Sequence, residues 1–448
     1  MTMRPVLGVL LLLWGCASSS PSTQRANSKS GPAFIENDWE RALREAREKQ
    51  RPLFVETWAP WCQSCRSMRS TVLTSPALGE QEGRFVWLAI DTDAPANEAF
   101  LQRYPVDTWP TVLILEPEQG AVLVRSLGGV SVPQLLGLLA QGEQAFQRGR
   151  AGGEELSRAD GLALTGHHAE AAAAYQQAVA HWTPEDSRRA SAVVSWLKSL
   201  TAMGDAVSCM RVAAQELGHL PRVDDRTRVL YVGMGCALDA KTDEARALRE
   251  QLAQEAARAR EAPEGTLTPA LRSSLYEVGC EVHEASGDEA SMRELAETWW
   301  RFLEEQATRA RSAEERAALD SHRVMAVALL ARPEAALSRL ERSERELPED
   351  YNPPARLATL HLMAGQHERA LAASERALSL AKGASRGTVL AGQARILSAS
   401  GKRAQAEALL TQALSELEQA SVPKNHLQRQ VLERVLSQLR AEGGPPSP

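Results

Sequence analysis

Apolar positions along the chain change period twice. Between Asp38 and Lys49, Trp39, Ala42, Leu43 and Ala46 recur at steps of three and four, which predicts a helix with one buried face, capped by Asn37 or Asp38. Pro52 to Thr57 is a short apolar run of strand type that leads directly into Trp58-Ala59-Pro60-Trp61-Cys62-Gln63-Ser64-Cys65. Helical spacing returns from Arg66 to Val72 and from Asn97 to Arg103, with a strand run from Phe85 to Ile90 between them. Two further strand runs, Thr111 to Leu115 and Val122 to Ser126, flank a hairpin turn at Glu116 to Gly120, and a last helix covers 131–147. Strands interleaved with helices, with a CxxC at a strand-to-helix junction, predict a small α/β sandwich over residues 33–147.

The Gly-rich stretch 148–153 breaks this pattern and reads as a linker, after which the period is helical throughout. A small residue, a polar one and an Ala-rich helix start recur at Gly166, Gly204, Lys241, Gly287, Arg332, Gly365 and Gly401, at intervals of roughly 34 to 46 residues. The two units from Pro354 to Leu417, with Ala358, Gly365, Ala370 and Ala377 at helix-packing positions, resemble tetratricopeptide repeats. That resemblance implies helix pairs over 154–441 stacked into an all-α TPR-type solenoid, whose concave face would dock a protein or peptide partner. Roughly seven pairs and a final helix near Leu427 to Arg440 fit the length, and 442–448 read as a disordered tail. The linker predicts that the two units fold independently.

Composition narrows the classes. With 44% hydrophobic and 24% charged residues in 448, the chain has material for ordinary cores and is not globally disordered. Lys+Arg at 51 against Asp+Glu at 57 gives a net charge of −6, so no basic excess points to nucleic acid. At the N-terminus Arg4 precedes an apolar run from Val6 to Trp14, which matches a signal segment and is too short to span a bilayer. Leu13-Trp14-Gly15-Cys16 resembles the lipobox of bacterial lipoproteins. This implies a signal peptide over 1–16, a lipid on Cys16, a flexible Ser/Pro-rich tether over 17–32, and a protein anchored in a bacterial membrane facing the periplasm. A soluble periplasmic protein with an incidental Cys16 is the alternative.

WAPWCQSC, followed some forty-five residues later by Trp109-Pro110-Thr111 before a strand, resembles the thioredoxin family. Thr71 to Leu78 and the strand ending in Asp91 bring it closer to the periplasmic thiol-disulfide interchange branch. A Cys at a helix start meets free backbone N–H groups and the positive end of the helix dipole, which stabilise thiolate and make Cys62 the attacking thiol. Cys65, one turn later, is placed to resolve the mixed disulfide. The resemblance implies that Pro110 is a cis-proline facing the motif and that Trp61, Trp109 and Thr111 flank a substrate groove. It also implies that Glu56 stands where thioredoxins commonly carry a buried Asp that shuttles a proton to the resolving Cys, although Glu56 also fits a solvated strand end. Trp87 stands where many thioredoxins have the Lys that pairs with that acid.

A CxxC without a second close Cys or His pair supplies only half of a zinc site, and no metal or cofactor is expected. Cys209, Cys236 and Cys280 fall singly in helical stretches and read as small buried thiols, as the lone His283, His322 and His361 read as packing or surface residues. The expectation is an exported thiol-disulfide oxidoreductase of the protein-disulfide reductase type. Its partners would be exported proteins with disulfides, a membrane protein that donates electrons, and a docking partner on the array. The rival is a non-catalytic envelope scaffold in which the sheet module only binds.

Overall fold

The computed structural model describes residues 31–147, 154–186, 188–238, 242–420, 422 and 427–441. Cys16, the signal segment, nearly all of the tether, the linker and the tail lie outside the described residues.

The N-terminal unit is a five-stranded sheet in the order β1-β3-β2-β4-β5, formed by β1 (Ile35–Glu36), β2 (Leu53–Trp58), β3 (Val86–Asp91), β4 (Thr111–Leu115) and β5 (Val122–Leu127). β1 and β2 run parallel to β3, β4 runs antiparallel to β2, and β5 antiparallel to β4. The central strands are buried on both faces, which is why they read as continuous apolar runs and not as alternation. Helices α1 (Trp39–Glu48), α2 (Gln63–Ser67), α3 (Pro76–Gly79), α4 (Glu98–Arg103) and α5 (Val132–Gln147) flank the sheet. Asp38 caps α1 by accepting from the Arg41 N–H at 3.0 Å. α2 passes directly into a π-turn at Met68–Val72, a departure from the uniform helix predicted there. Phe54, Phe85 and Trp87 fill one side of the sheet, and Ile90, Phe100 and Leu115 the other.

The rest of the described chain is helical. It comprises α6 (Glu154–Leu164), α7 (His168–Ala180), α8 (Arg189–Ala202), α9 (Ala206–Glu216), α10 (Val223–Cys236), α11 (Asp243–Arg260), α12 (Pro269–Ala285) and α13 (Glu289–Arg309). There follow the short α14 (Ala313–Ala317), then α15 (Asp320–Leu329), α16 (Glu334–Glu346), α17 (Asn352–Met363), α18 (His367–Leu380), α19 (Gly383–Ala399), α20 (Arg403–Gln419) and α21 (Leu427–Ala441). Consecutive helices pack as pairs, α6 on α7, α12 on α13, α17 on α18 and α19 on α20 among them, an architecture compatible with a helical solenoid. Gly166, Gly204, Gly287, Gly365 and Gly401 mark the turn inside a pair and all have positive φ, the left-handed conformation that ends a helix. Ala331 takes that conformation at φ 53° where the repeat lacks its glycine.

Two expectations change on contact with the structure. Cys209 in α9 and Cys236 at the end of α10 are not single thiols but a disulfide, because the stacked helices bring their Cα atoms to 6.3 Å; Cys280 remains free and buried. The two units are also not separate bodies. First helices of successive pairs touch the sheet domain one after another: Asp160 of α6 pairs with Arg125 at 3.7 Å, Ser191 of α8 meets Ser126 at 3.3 Å, and Arg228 of α10 donates to the Leu127 carbonyl at 2.6 Å. α12 packs on α2, and α15, α17 and α19 each bond to the motif region described below. An array whose successive helices all reach one small domain is wrapped around it. Helices of the array expected to receive a partner thus pack against the chain's own sheet domain.

Candidate functional site

β2 delivers the chain to Trp58, a turn closes with the Cys62 N–H donating to the Ala59 carbonyl at 3.0 Å, and Cys62 becomes the N-cap of α2. Its Sγ accepts from the Cys65 N–H at 3.1 Å, and the two cysteines are joined as a disulfide. Cys62 is 4% exposed and Cys65 fully buried, so the attacking position is the one nearer the surface. In the reduced state the same N–H would stabilise a Cys62 thiolate. Ser64 Oγ lies 3.4 Å from Cys62 Sγ and donates to the Trp109 carbonyl at 3.2 Å, which ties the motif to the loop before β4.

That loop contains a cis peptide between Trp109 and Pro110. Trp61 and Trp109 pack with ring centroids 5.1 Å apart, and their indole N–H groups donate to Asp93 at 3.3 Å and to Thr92 at 2.8 Å. Trp61 and Trp109 are thus packed against the dithiol, and Pro110 follows Trp109 in the chain. Thr111 is not part of that rim: it is buried, its hydroxyl donating to the Thr108 carbonyl at 2.7 Å and its N–H to Thr57 Oγ1 at 3.2 Å.

Glu56 is fully buried on β2 and is no solvated strand end. Burial pushes its carboxyl up to about 7, against the opposing pull of Arg69, whose Nη1 donates to Oε2 at 2.9 Å. The other oxygen, Oε1, has no hydrogen-bond partner. Arg69 also pairs with Glu36 at 2.8 Å and lies 4.3 Å over the Trp58 ring. Asp91, at the end of β3, is raised to about 6, again chiefly by burial. Trp87, which occupies the position of the familiar Lys, is buried in the core and leaves the cation to come from the π-turn. Arg69 was legible only as a charge four residues after Cys65, one helical turn away on the same face.

The array contributes what sequence reasoning missed. Gln63, between the two cysteines, is held by His322 Nδ1 at 2.8 Å and by the Ser321 hydroxyl, both of α15. His322 is in turn fixed by Ser273 Oγ at 2.6 Å and Glu277 at 3.2 Å. Asn352 of α17 donates to the Pro60 carbonyl at 2.9 Å, and Asp350 pairs with Arg66 at 2.7 Å. Ser385 of α19 bonds to Asp93, and Gly383 lies so close that a Cβ there would stand 2.1 Å from the Asp93 carbonyl oxygen. No group of three or more His, Cys, Asp or Glu suited to a metal occurs among the described residues.

Residues 34–117 match a family model described as thioredoxin-like. The thiol:disulfide interchange protein DsbD 1 of Pseudomonas aeruginosa is 29% identical over 99 residues, which are 20% of this chain and 17% of that protein. Thioredoxin M4, chloroplastic, of Arabidopsis thaliana is 32% identical over 85 residues, 19% of this chain and 40% of its own. The chain thus spans less than half the length of either curated relative. Among solved structures, the assembly chaperone of RpL4 (Acl4), residues 1–338, matches at 15% identity with a TM-score of 0.31, over 64% of this chain and 95% of that one. With the sheet order, the CxxC at the head of α2 and relatives of thiol-disulfide function in agreement, residues 34–117 form a thioredoxin-like domain of oxidoreductase type.

Proposed function

We propose that this protein is an exported thiol-disulfide oxidoreductase, tethered to a bacterial membrane by lipid on Cys16, that reduces disulfides in the periplasm and so serves redox homeostasis of the cell envelope. Cys62 attacks the substrate disulfide, Cys65 resolves the mixed disulfide, and Glu56 takes up or returns the proton. A membrane protein resupplies electrons, and exported proteins with disulfides are the substrates. The observation that carries this reading is the Cys62–Cys65 pair at the N-cap of α2, packed against Trp61 and Trp109, in a domain that also holds a cis-proline at Pro110 and a buried carboxyl, Glu56, raised to about 7. Docking on the array is part of the proposal in one form: a partner that displaces the sheet domain from the array would uncover the dithiol.

One observation favours the rival scaffold reading. Gln63, Pro60 and Arg66 are all bonded to the array, which encloses the motif as a module that only binds would allow. Reduction of insulin disulfides by the full chain separates the two. Turnover is expected with the native protein and loss of turnover with Cys62→Ser, while Cys65→Ser should accumulate a mixed disulfide on Cys62. Equal turnover in Cys62→Ser would remove the oxidoreductase assignment.

A further inference from the structure

Between the motif and the array lies a cavity of about 150 Å³. The sheet domain supplies Ser64, Trp109 and the Gly128-Gly129 turn, and α8, α10 and α12 supply a largely apolar wall that includes Val194, Tyr231 and Leu271. Its lining contains no carboxylate and two cations, Lys198 of α8 and Arg228 of α10. Lys198 has no ion-pair or hydrogen-bond partner among the described residues. Arg228 is buried, and its Nη groups bond only to neutral oxygens, Ser126 Oγ at 3.0 Å, the Leu127 carbonyl at 2.6 Å and Ser191 Oγ at 3.4 Å. Its Nε is buried without a partner. The nearby Asp224 and Asp225 are engaged elsewhere, by Arg222 and Ser131 and by Gln134.

Buried positive charge without a directly paired counter-ion is costly, and an anion in the cavity would offset that cost. At this size the cavity takes a small molecule or a few linked atoms of a larger one, not a folded protein. Cys62 does not itself line the cavity, but Ser64, which does, has its Oγ 3.4 Å from the Cys62 sulfur, so the cavity ends one side chain away from the dithiol.

We propose that this cavity binds small disulfides and thiols with a short apolar body and a carboxylate, the carboxylate held by Lys198 and Arg228 and the sulfur presented to Cys62. The assignment rests on the oxidoreductase reading above and names a substrate class for it. In the reduced protein the Cys62 thiolate attacks one sulfur of RSSR, forming the Cys62–S–S–R bond and expelling RS⁻, which takes a proton from solvent. The Cys65 thiolate then attacks Cys62 Sγ, expelling the second RS⁻. The dithiol is oxidised to the disulfide, and RSSR is reduced to two RSH.

The test uses the reduced full chain in single turnover with three disulfides of similar length: dithiodipropionate, its dimethyl ester and cystamine. The rate should fall in that order, and Lys198→Gln should lower the ratio of the dithiodipropionate rate to the ester rate about tenfold, with recovery in Lys198→Arg. A ratio unmoved by Lys198→Gln, or cystamine as fast as dithiodipropionate, would overturn the proposal. Calorimetric binding of dithiodipropionate to the Cys62→Ser, Cys65→Ser double variant gives a second readout, expected to weaken about tenfold with Lys198→Gln. Absence of binding there overturns the cavity assignment alone. Binding without exchange in the native chain overturns the ligand as a substrate, and only absence of insulin turnover in the same preparation overturns the oxidoreductase reading as well.

Discussion

Glu56 is the residue whose environment departs furthest from what its type suggests. Its carboxyl moves from an ordinary 4.5 to about 7 because burial outweighs the Arg69 contact, so the folded state binds a proton there more tightly than the unfolded chain does. The associated stabilisation is complete below the unfolded value and is lost as pH rises through 7, an effect on the order of 3 kcal/mol. Asp91, raised to about 6, adds a smaller loss of the same sign at lower pH, and Arg69 and Glu36 are the charges facing both groups. Urea unfolding of the oxidised protein at pH 5 and pH 8 should show Glu56→Gln losing about 2.5 kcal/mol less than the native chain between the two. Parallel losses would mean that Glu56 is ionised throughout that range.

At the scale of elements, the covalent link between α9 and α10 is the feature with the largest expected effect. Cys209 and Cys236 are 27 positions apart, and closing a loop of that length in the unfolded chain corresponds to about 3.5 kcal/mol in the chain-entropy model. Replacing both by Ala should lower the urea midpoint accordingly, and reductant should lower the native midpoint by more than it lowers that of the double variant, which keeps only the Cys62–Cys65 bridge. A native midpoint indifferent to reductant would show that the two thiols are not bridged in solution. The neighbouring turns show how local rules give way to context. Five glycines end first helices with positive φ, whereas Ala331 is held there although a side chain disfavours it.

The whole molecule is a dithiol domain inside its own repeat array, and this arrangement governs access. Asp350 and Asn352 hold Arg66 and the Pro60 carbonyl on either side of the motif, contacts worth about 1–2 kcal/mol each at this degree of burial. Replacing both by Ala in the full chain should favour displacement of α17 and raise the alkylation rate of reduced Cys62 several-fold, with the helical circular dichroism signal retained. An unchanged rate in a folded variant would show that the array does not cover the dithiol. No helix among the described residues is long and apolar enough to cross a membrane, so membrane attachment rests in this proposal on the N-terminal segment.

Local chemistry made part of this molecule legible in the chain. The apolar runs of β2, β3 and β4, the Asp38 cap and the CxxC at a strand-to-helix junction each depend on residues a few positions apart, and periodicity and capping act at that range. The glycines of the helix pairs were legible for the same reason. Arg69 replacing the familiar Lys, the Cys209–Cys236 bridge and the clamp of His322, Asn352 and Ser385 on the motif were not. Each joins residues that one-dimensional patterning does not relate, brought together only when helices stack and the array closes on the sheet. Thr111 shows the converse: its place beside Pro110 suggested the groove, yet the pleat of β4 turns its side chain into the domain. The sequence determined the dithiol and the elements that carry it. The tertiary structure decided what encloses the dithiol, which cation faces Glu56 and which side chains line the cavity between the domain and the array, because burial and long-range contact are properties of packing rather than of local order.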